Sequence, residues 1–412
     1  MQVDRTQQSI ARPQFLLAGL LLCLIAASAL AENDNHVFTL GIDGGYVTTD
    51  TPLASWTEGG LGKLRYDEDS DGVKLSHVFL DYRGRLTQTL NLKATLMYNP
   101  ELSNKLDFTE AYFELRPIPQ SRWRTRFRLG AFYPHLSMEN VDNAWTSPYT
   151  LSSSTINTWL AEELRIIGAE GKVLRDFGKT SQHRVSFEGG VFWVNDPTGA
   201  LLAAKGWSVH NRQSGIRAEL PLHFGTTFEP FQELDDQAGF YAGTQYQYGR
   251  RIKLKYHHYN NHGNPKQGPE WGDTWLTYFD SAGLQLALPA KVGLIGQWLD
   301  GRTVWQDLDI GFDAWTVLLT RTFNKHRVSV RYEEFFMDKK QASNWGPQQV
   351  LDDGQALTVA WLFSYSRSVR FGVEWINIES TRPQFVDAGF EPTIDENQLM
   401  LSIRYLLSNK AK

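Results

Sequence analysis

The run Arg122-Trp123-Arg124-Thr125-Arg126-Phe127-Arg128-Leu129 sets four guanidinium groups at every second position, with Trp123, Phe127 and Leu129 on the opposite parity. A period of two belongs to a β-strand, so such a strand stacks its arginines about 6.6 Å apart along one wall. A row like this offers an anion several overlapping sites. Charged side chains cost about 2 to 4 kcal/mol on the lipid face of a membrane strand at midplane, so in a spanning strand these arginines must look inward. Arg83 and Arg85 on an earlier segment, and Lys253 and Lys255 backed by Ile252 and Leu254, extend the basic set. Arg122 and Arg124 sit nearest the preceding turn and also fit a solvated rim, whereas Arg126 and Arg128 are the better pore candidates. Asp81, Glu110 and Glu114 share the inward parity. The charges therefore either pair along the wall, or form opposed basic and acidic walls that orient dipolar solutes.

Such side chains need a strand framework, and the chain supplies one behind an export signal. Arg5 and Arg12, the apolar run from Phe15 to Ala26 and the A-x-A site Ala29-Leu30-Ala31 predict cleavage before Glu32. The run is too short and wrongly flanked for a membrane helix. Cys23, the only cysteine, lies inside this signal with no small residue directly before it, so no lipoprotein box is expected and the mature chain has no Cys-ligated metal. Loss of Asp4, Arg5 and Arg12 takes the formal charge from −5 to −6, which is not a nucleic-acid binder's balance. Residues 1–31 are thus read as signal and 32–412 as one domain, since no Pro- or Ser-rich linker divides them. Aromatic content of 13% with negative mean hydropathy fits aromatics facing lipid and charges facing a wet lumen.

Alternation recurs to the C-terminus. Leu90, Leu92, Ala94, Leu96 and Tyr98 share one face; Val369, Phe371, Val373 and Trp375 oppose Arg370, Gly372 and Glu374; Leu399, Leu401, Ile403 and Tyr405 oppose Ser402 and Arg404. A helix would space its apolar residues by three and four. Tight turns are expected near Arg85 to Gln88, Pro117 to Ser121, Asp176 to Ser181, His223 to Thr226, Gly249 to Arg250, Leu288 to Ala290, Thr322 to Lys325 and Tyr365 to Arg367. Longer polar loops fall near Thr49 to Asp71, Tyr133 to Trp159, Asn195 to Asn211, His262 to Gly272, Asp338 to Asp352 and Ser380 to Asp395. Short turns alternating with long loops are the outer-membrane signature, and the scheme predicts an all-β transmembrane antiparallel barrel of about sixteen to eighteen strands, with eighteen the direct count. The pair near Thr226 to Leu234 is the weakest, because Pro230 sits inside it. Trp123, Trp193, Trp298, Trp315, Trp361 and Trp375 are expected on the lipid face. The last strand, Leu399 to Leu407, is followed by five residues, all polar but Ala411, rather than ending on an aromatic.

The third loop carries Tyr133-Pro134-His135-Leu136-Ser137-Met138-Glu139-Asn140, then Trp145-Thr146-Ser147-Pro148-Tyr149, then Trp159. Apolar side chains in a long outer loop favour burial, and the lumen is the nearest shelter. The expectation is an inward-folded loop that sets a constriction with His135, Glu139, Asp142 and Trp145; the alternative is an external cap or a trimer contact.

Glu110-Ala111-Tyr112-Phe113-Glu114, then Arg128-x-Gly130-x-Phe132-x-Pro134 with Glu139 beyond, then Glu163-x-Arg165-x-x-Gly168, resembles the early part of the phosphate-selective porin O and P group and related proteobacterial porins. The resemblance covers roughly Phe108 to Gly168. It implies an outer-membrane barrel, commonly sixteen-stranded and trimeric, with an inward third loop. Where that group tends to carry Gln and Lys around the Phe, this chain has Ala131 and Tyr133, and His135-Leu136 stands in place of a Phe-Gly pair.

Enzyme signatures are missing from the sequence. His257 and His258 are adjacent on a strand and point to opposite faces, and no H-E-x-x-H, phosphate-cradling Gly loop or G-x-S-x-G elbow is present. Gly44-Gly45, Gly59-Gly60 and Gly189-Gly190 read as turns or close-packed strands. No catalysis, cofactor, metal or nucleic-acid partner is expected. With no plug domain ahead of the first strand at about His36 to Val47, a TonB-dependent transporter is not expected either. The function expected is a porin of the bacterial outer membrane: a passive channel for small hydrophilic solutes, weakly anion-preferring because permeating ions respond to charges within about 8 Å. The alternative is a structural or partner-binding barrel without significant conductance. Partners expected are outer-membrane lipid, small hydrophilic or anionic solutes, and two further copies in a homotrimer.

Overall fold

Side-chain alternation becomes strand after strand. A computed structural model describes residues 35–178, 182–222, 225–268 and 273–409; the expected signal and its cleavage site lie outside the described residues. The strands are β1 (His36–Thr49), β2 (Gly72–Arg85), β3 (Leu90–Tyr98), β4 (Leu106–Leu115), β5 (Trp123–Phe132), β6 (Ile166–Phe177), β7 (His183–Phe192), β8 (Leu220–Pro221), β9 (Thr227–Phe228), β10 (Gly239–Tyr248), β11 (Ile252–Asn260), β12 (Leu276–Leu288), β13 (Val292–Trp305), β14 (Leu308–Phe323), β15 (His326–Lys339), β16 (Val350–Ser364), β17 (Val369–Thr381) and β18 (Thr393–Ser408). Among the described residues all but β8 and β9 form one closed antiparallel barrel of sixteen strands, sealed where β1 pairs with β18. Closure leaves no edge strand with unpaired backbone groups, as a bilayer requires.

Parity decides which face meets lipid. On β18, Leu399, Leu401, Ile403, Tyr405 and Leu407 are exposed, while Glu396, Gln398, Met400 and Arg404 are buried in the interior. Trp123, Trp193, Trp298, Trp361 and Trp375 lie exposed on the outer wall, and Trp315, on the same parity as exposed Val317, joins them with its indole donating to Glu334 (3.2 Å). Several strand turns on the side of the termini are tight; β14 and β15 are joined by Asn324 and Lys325 alone, with Asn324 at φ +51°, a conformation Asn tolerates better than most side chains.

Sixteen strands, not eighteen, cross the membrane. The segment read as an extra hairpin lies within the connection between β7 and β10, and of the turn read at His223 to Thr226, residues 223 and 224 lie outside the described set. What pairs there is the two-residue ribbon of β8 and β9, Leu220 opposite Phe228. Ala218, Leu220, Leu222 and Phe228 are buried, packed in the main core cluster with Trp56 and Trp207. Apolar residues that face a protein core and apolar residues that face lipid look alike in sequence. One outer connection is short, Gln306 and Asp307 alone joining β13 to β14.

The outer half of the barrel is filled by its own loops. Residues 50–71, 133–165, 193–222 and 225–238 pack there, carrying helices α1 (Thr155–Glu163) and α2 (Ala200–Lys205); a third helix, α3 (Pro383–Asp387), lies between β17 and β18. The indole of Trp159 on α1 meets Trp207, Phe279 and Phe312 edge-on at 6.0, 5.4 and 5.2 Å, a geometry aromatic quadrupoles favour. A second population of tryptophans, Trp56, Trp159, Trp207, Trp275 and Trp305, is therefore interior. Residues 133–165 leave β5 and return at β6, yet Glu139 pairs with Arg331 of β15 (2.7 Å) and the Leu151 and Ser152 N–H groups donate to Glu374 of β17 (2.6 and 2.8 Å). In the ring order β15 stands opposite β5, so this segment crosses the lumen.

Candidate functional site

Below the crossing segment, toward the termini, the interior is lined by charge on two walls. The first runs from β2 to β11. Arg122 precedes β5 and is exposed at the rim. Arg124 pairs with Asp176, which also holds Arg184 (2.6 Å). Arg126 reaches Glu114 (3.4 Å) and Glu170 (3.7 Å), while Arg128 grips Glu170 with two bonds of 2.8 and 2.6 Å and lies over the Phe132 ring at 4.1 Å. His135 sits between the two guanidiniums, 3.1 Å from each. Asp81 accepts from Thr95 (2.8 Å) and lies 2.9 Å from Arg83; Glu110 pairs with Lys93, and Glu114 with Arg116 (2.5 Å). Arg85 is exposed at the end of β2 and Lys253 is half-buried. Lys255 is spent on the crossing segment, donating to the carbonyls of His135 (2.9 Å) and Ser137 (3.0 Å).

Two carboxylates central to this wall escaped the sequence reading. Glu170 and Glu188 stand across β6 and β7, and Glu188 holds Lys172 and His257, both at 2.7 Å. Glu170 and Lys172 do share a strand parity, the signal that could have found them. His135, Glu170 and Glu188 bring donor atoms within 4.8 Å of one another. The carboxylates already accept from Arg128 and Lys172, and those cations repel a metal ion. His258 points outward to Asp280 (3.0 Å), opposite to His257.

The second wall, formed by β15, β17, β18, β1 and β2, was not singled out in the sequence because its arginines occur singly. Cross-strand register sets Arg370 opposite Arg404 and Arg404 opposite Asp43. Arg404 grips Asp43 at 2.5 and 2.7 Å, and His77 Nε2 lies 2.7 Å from the same carboxylate. Arg327 donates to the Pro148 carbonyl and stacks on Tyr149 at 5.0 Å. Asp142, from the crossing segment, comes down between Arg370 (3.9 Å) and Arg404 (3.7 Å).

The roof between the walls is rigidly held. Trp145 stacks on Tyr133 at 4.2 Å, and the Arg165 guanidinium lies over the same Tyr133 ring, also at 4.2 Å. Glu139 is buried and accepts from Arg331, Thr150 and Asn157 (2.7, 3.0 and 3.1 Å). Burial also sets charges within the packed loops. It pushes the Glu163 carboxyl up to about 7 although Gly199 and Leu201 N–H groups donate to it (3.1 and 2.9 Å). It brings the Lys63 amine down to about 7 against the favourable Asp352 contact at 2.6 Å.

No protein-family model matches the sequence, and no curated protein matches it as a relative. Solved structures resemble it in fold. A loop-deletion form of OmpT, an outer membrane protein of Vibrio cholerae, matches with TM-score 0.51 at 11% identity, covering 90% of this chain and all of that one. The trimer form of the same protein matches with TM-score 0.50 at 11% identity, over 90% and 99% of the two chains. OmpF of Salmonella typhi, in complex with daunomycin, matches with TM-score 0.50 at 10% identity, over 91% and 99%. A closed sixteen-stranded barrel with an apolar, tryptophan-bearing exterior and a charged interior, built like these proteins, makes this chain a bacterial outer-membrane β-barrel protein.

Proposed function

We propose that the protein is a passive outer-membrane channel for small hydrophilic solutes with a weak preference for anions. The observation that carries this reading is an asymmetry of exposure on the first wall. Arg83 keeps 56% of its side chain exposed against 2% for Asp81, Arg116 62% against 8% for Glu114, and Arg126 22% against 0% for Glu170. The paired acids are buried behind their cations, so a solute in the vestibule meets guanidinium groups first, and local charge outweighs the chain's net −5 within a Debye length of about 8 Å. The reversal potential across a salt gradient in planar bilayers tests it. The wild type should favour anions, and Arg116→Ser with Arg126→Ser should move the potential toward cations. Cation preference in the wild type, or an unmoved potential in the double variant, overturns the reading.

Chloride compared with phosphate in the same apparatus decides whether the likeness to the phosphate-selective group extends to its solute. A homotrimer and maturation by cleavage before Glu32 belong to the same proposal, and the mass of the membrane-extracted protein checks both. The packed outer half favours a second reading, a structural or partner-binding barrel, for which bilayers would show no conductance steps.

A further inference from the structure

The second wall holds a cation that its surroundings leave unspent. Arg370 faces inward from β17 and, among the described residues, its side chain donates no hydrogen bond; the carboxylate oxygen near it, Asp142 Oδ2, is 3.9 Å away. That distance is too long for a hydrogen bond. The same Asp142 oxygen lies 3.7 Å from Arg404, and the other accepts from the Asn143 N–H (2.9 Å). Asp43 makes no bond to Arg370, since both its oxygens are gripped by Arg404 and His77 lies 2.7 Å from it. Arg327 brings a third guanidinium to this wall, so three guanidiniums face two carboxylates, one of them fully engaged. Arg370, Arg404 and Asp43 line one small interior cavity with Ser76, Ser402 and Asn211.

A guanidinium presents five donors in a planar fork matched to a carboxylate or phosphate. An inward fork with every donor unused, beside a second arginine and the Ser76 and Ser402 hydroxyls in a cavity whose remaining wall includes Leu151 and Met400, has the recognition chemistry of an oxyanion site. The contact it does make shows the chemistry it accepts: a carboxylate tethered on the crossing segment, near enough to be attracted and too far to bond.

We infer that Arg370 and Arg404 form a binding site for a small oxyanion, a carboxylate or phosphate group, in which Asp142 is the built-in competitor. An incoming oxyanion takes the Arg370 fork and displaces the Asp142 carboxylate. The site deepens the channel reading, on which it rests for the ligand's arrival, while binding itself requires no conductance.

Isothermal titration of the full-length mature chain in detergent, at constant ionic strength, with acetate and with inorganic phosphate tests the inference. Saturable binding of at least one probe is expected, and the better of the two identifies the source of the oxyanion. Arg370→Gln should weaken it about tenfold or more, the scale of a lost charged hydrogen bond, and Arg370→Lys should weaken it less, keeping charge without the fork. Asp142→Asn should tighten it, which a merely structural role for Asp142 would not do. Migration of unheated samples on gels reports folding of each variant. Absence of binding to the folded wild type, unchanged affinity in Arg370→Gln, or weaker binding in Asp142→Asn overturns the site. A barrel that conducts nothing but keeps this order of affinities retains the site and loses the channel; anion-preferring conductance with unchanged affinities does the reverse.

Discussion

Arg331 shows how much of the interior rests on single residues. It is fully buried on β15, bonded to Glu139 (2.7 Å) and Glu333 (3.0 Å), with further bonds to Ser152, Ser153 and Thr358. Glu333 in turn accepts from the Thr155 N–H (2.7 Å) at the start of α1. Arg331 thus ties the crossing segment to the far wall, and removing it strands two carboxylates without a countercharge. Arg331→Met should destabilise the docked segment by about 3 to 5 kcal/mol, the usual cost of breaking a buried pair, read as faster hydrogen exchange across residues 133–165. Adding Glu139→Gln should recover part of that loss, because one stranded charge is then removed.

At the scale of elements, the packed loops carry a dependence on pH. The Glu163 carboxyl is raised to about 7 by burial, against an unfolded value near 4.5, so its protonated form is favoured when α1 is docked. Between those values the docked state holds more protons than the undocked one, and its stability falls as pH rises. The contribution is fully present below about 4.5 and lost by about 7. Lys63, brought down to about 7, works with the opposite sign higher up, docking becoming more favourable as pH rises from about 7 toward its ordinary value. Docking should be weakest near neutrality. Hydrogen exchange of α1 and α2 measured from pH 4.5 to 10 checks this, and Glu163→Gln should flatten the acid limb while leaving the alkaline limb in place.

For the whole molecule, the consequence is a division of labour between a wall that meets lipid and a filling that decides passage. Closure through β1 and β18 makes the wall independent of the loops, so loops should be removable without loss of the barrel. Replacing residues 199–228 with a short Gly/Ser link removes α2, β8 and β9 and the apolar contacts of Trp207. Larger conductance steps in bilayers are expected from that chain, still folded by gel migration. Steps of unchanged size would place the permeation path outside this connection.

The alternation at period two determined the barrel and the parity of its residues, because each strand meets lipid on one face over its whole length and that demand is written locally, as in β17 and β18. It also placed Arg126, Arg128, Asp81, Glu110 and Glu114 on inward faces, and the outward tryptophans on the other. Only the tertiary structure decided which charges remain for a solute. Arg128 is consumed by Glu170 and Lys255 by two carbonyls, whereas Arg370, isolated in sequence, keeps its donors. Those outcomes depend on cross-strand register around a closed ring, which brings Asp43 beside Arg404 across a separation of 361 residues. The pair near Thr226 to Leu234 falls in a loop ribbon rather than in the wall, at the sixteen-strand end of the expected range, for a related reason. An apolar residue buried against lipid and one buried against another loop gain the same free energy of leaving water, and local pattern records that gain without recording what covers the surface.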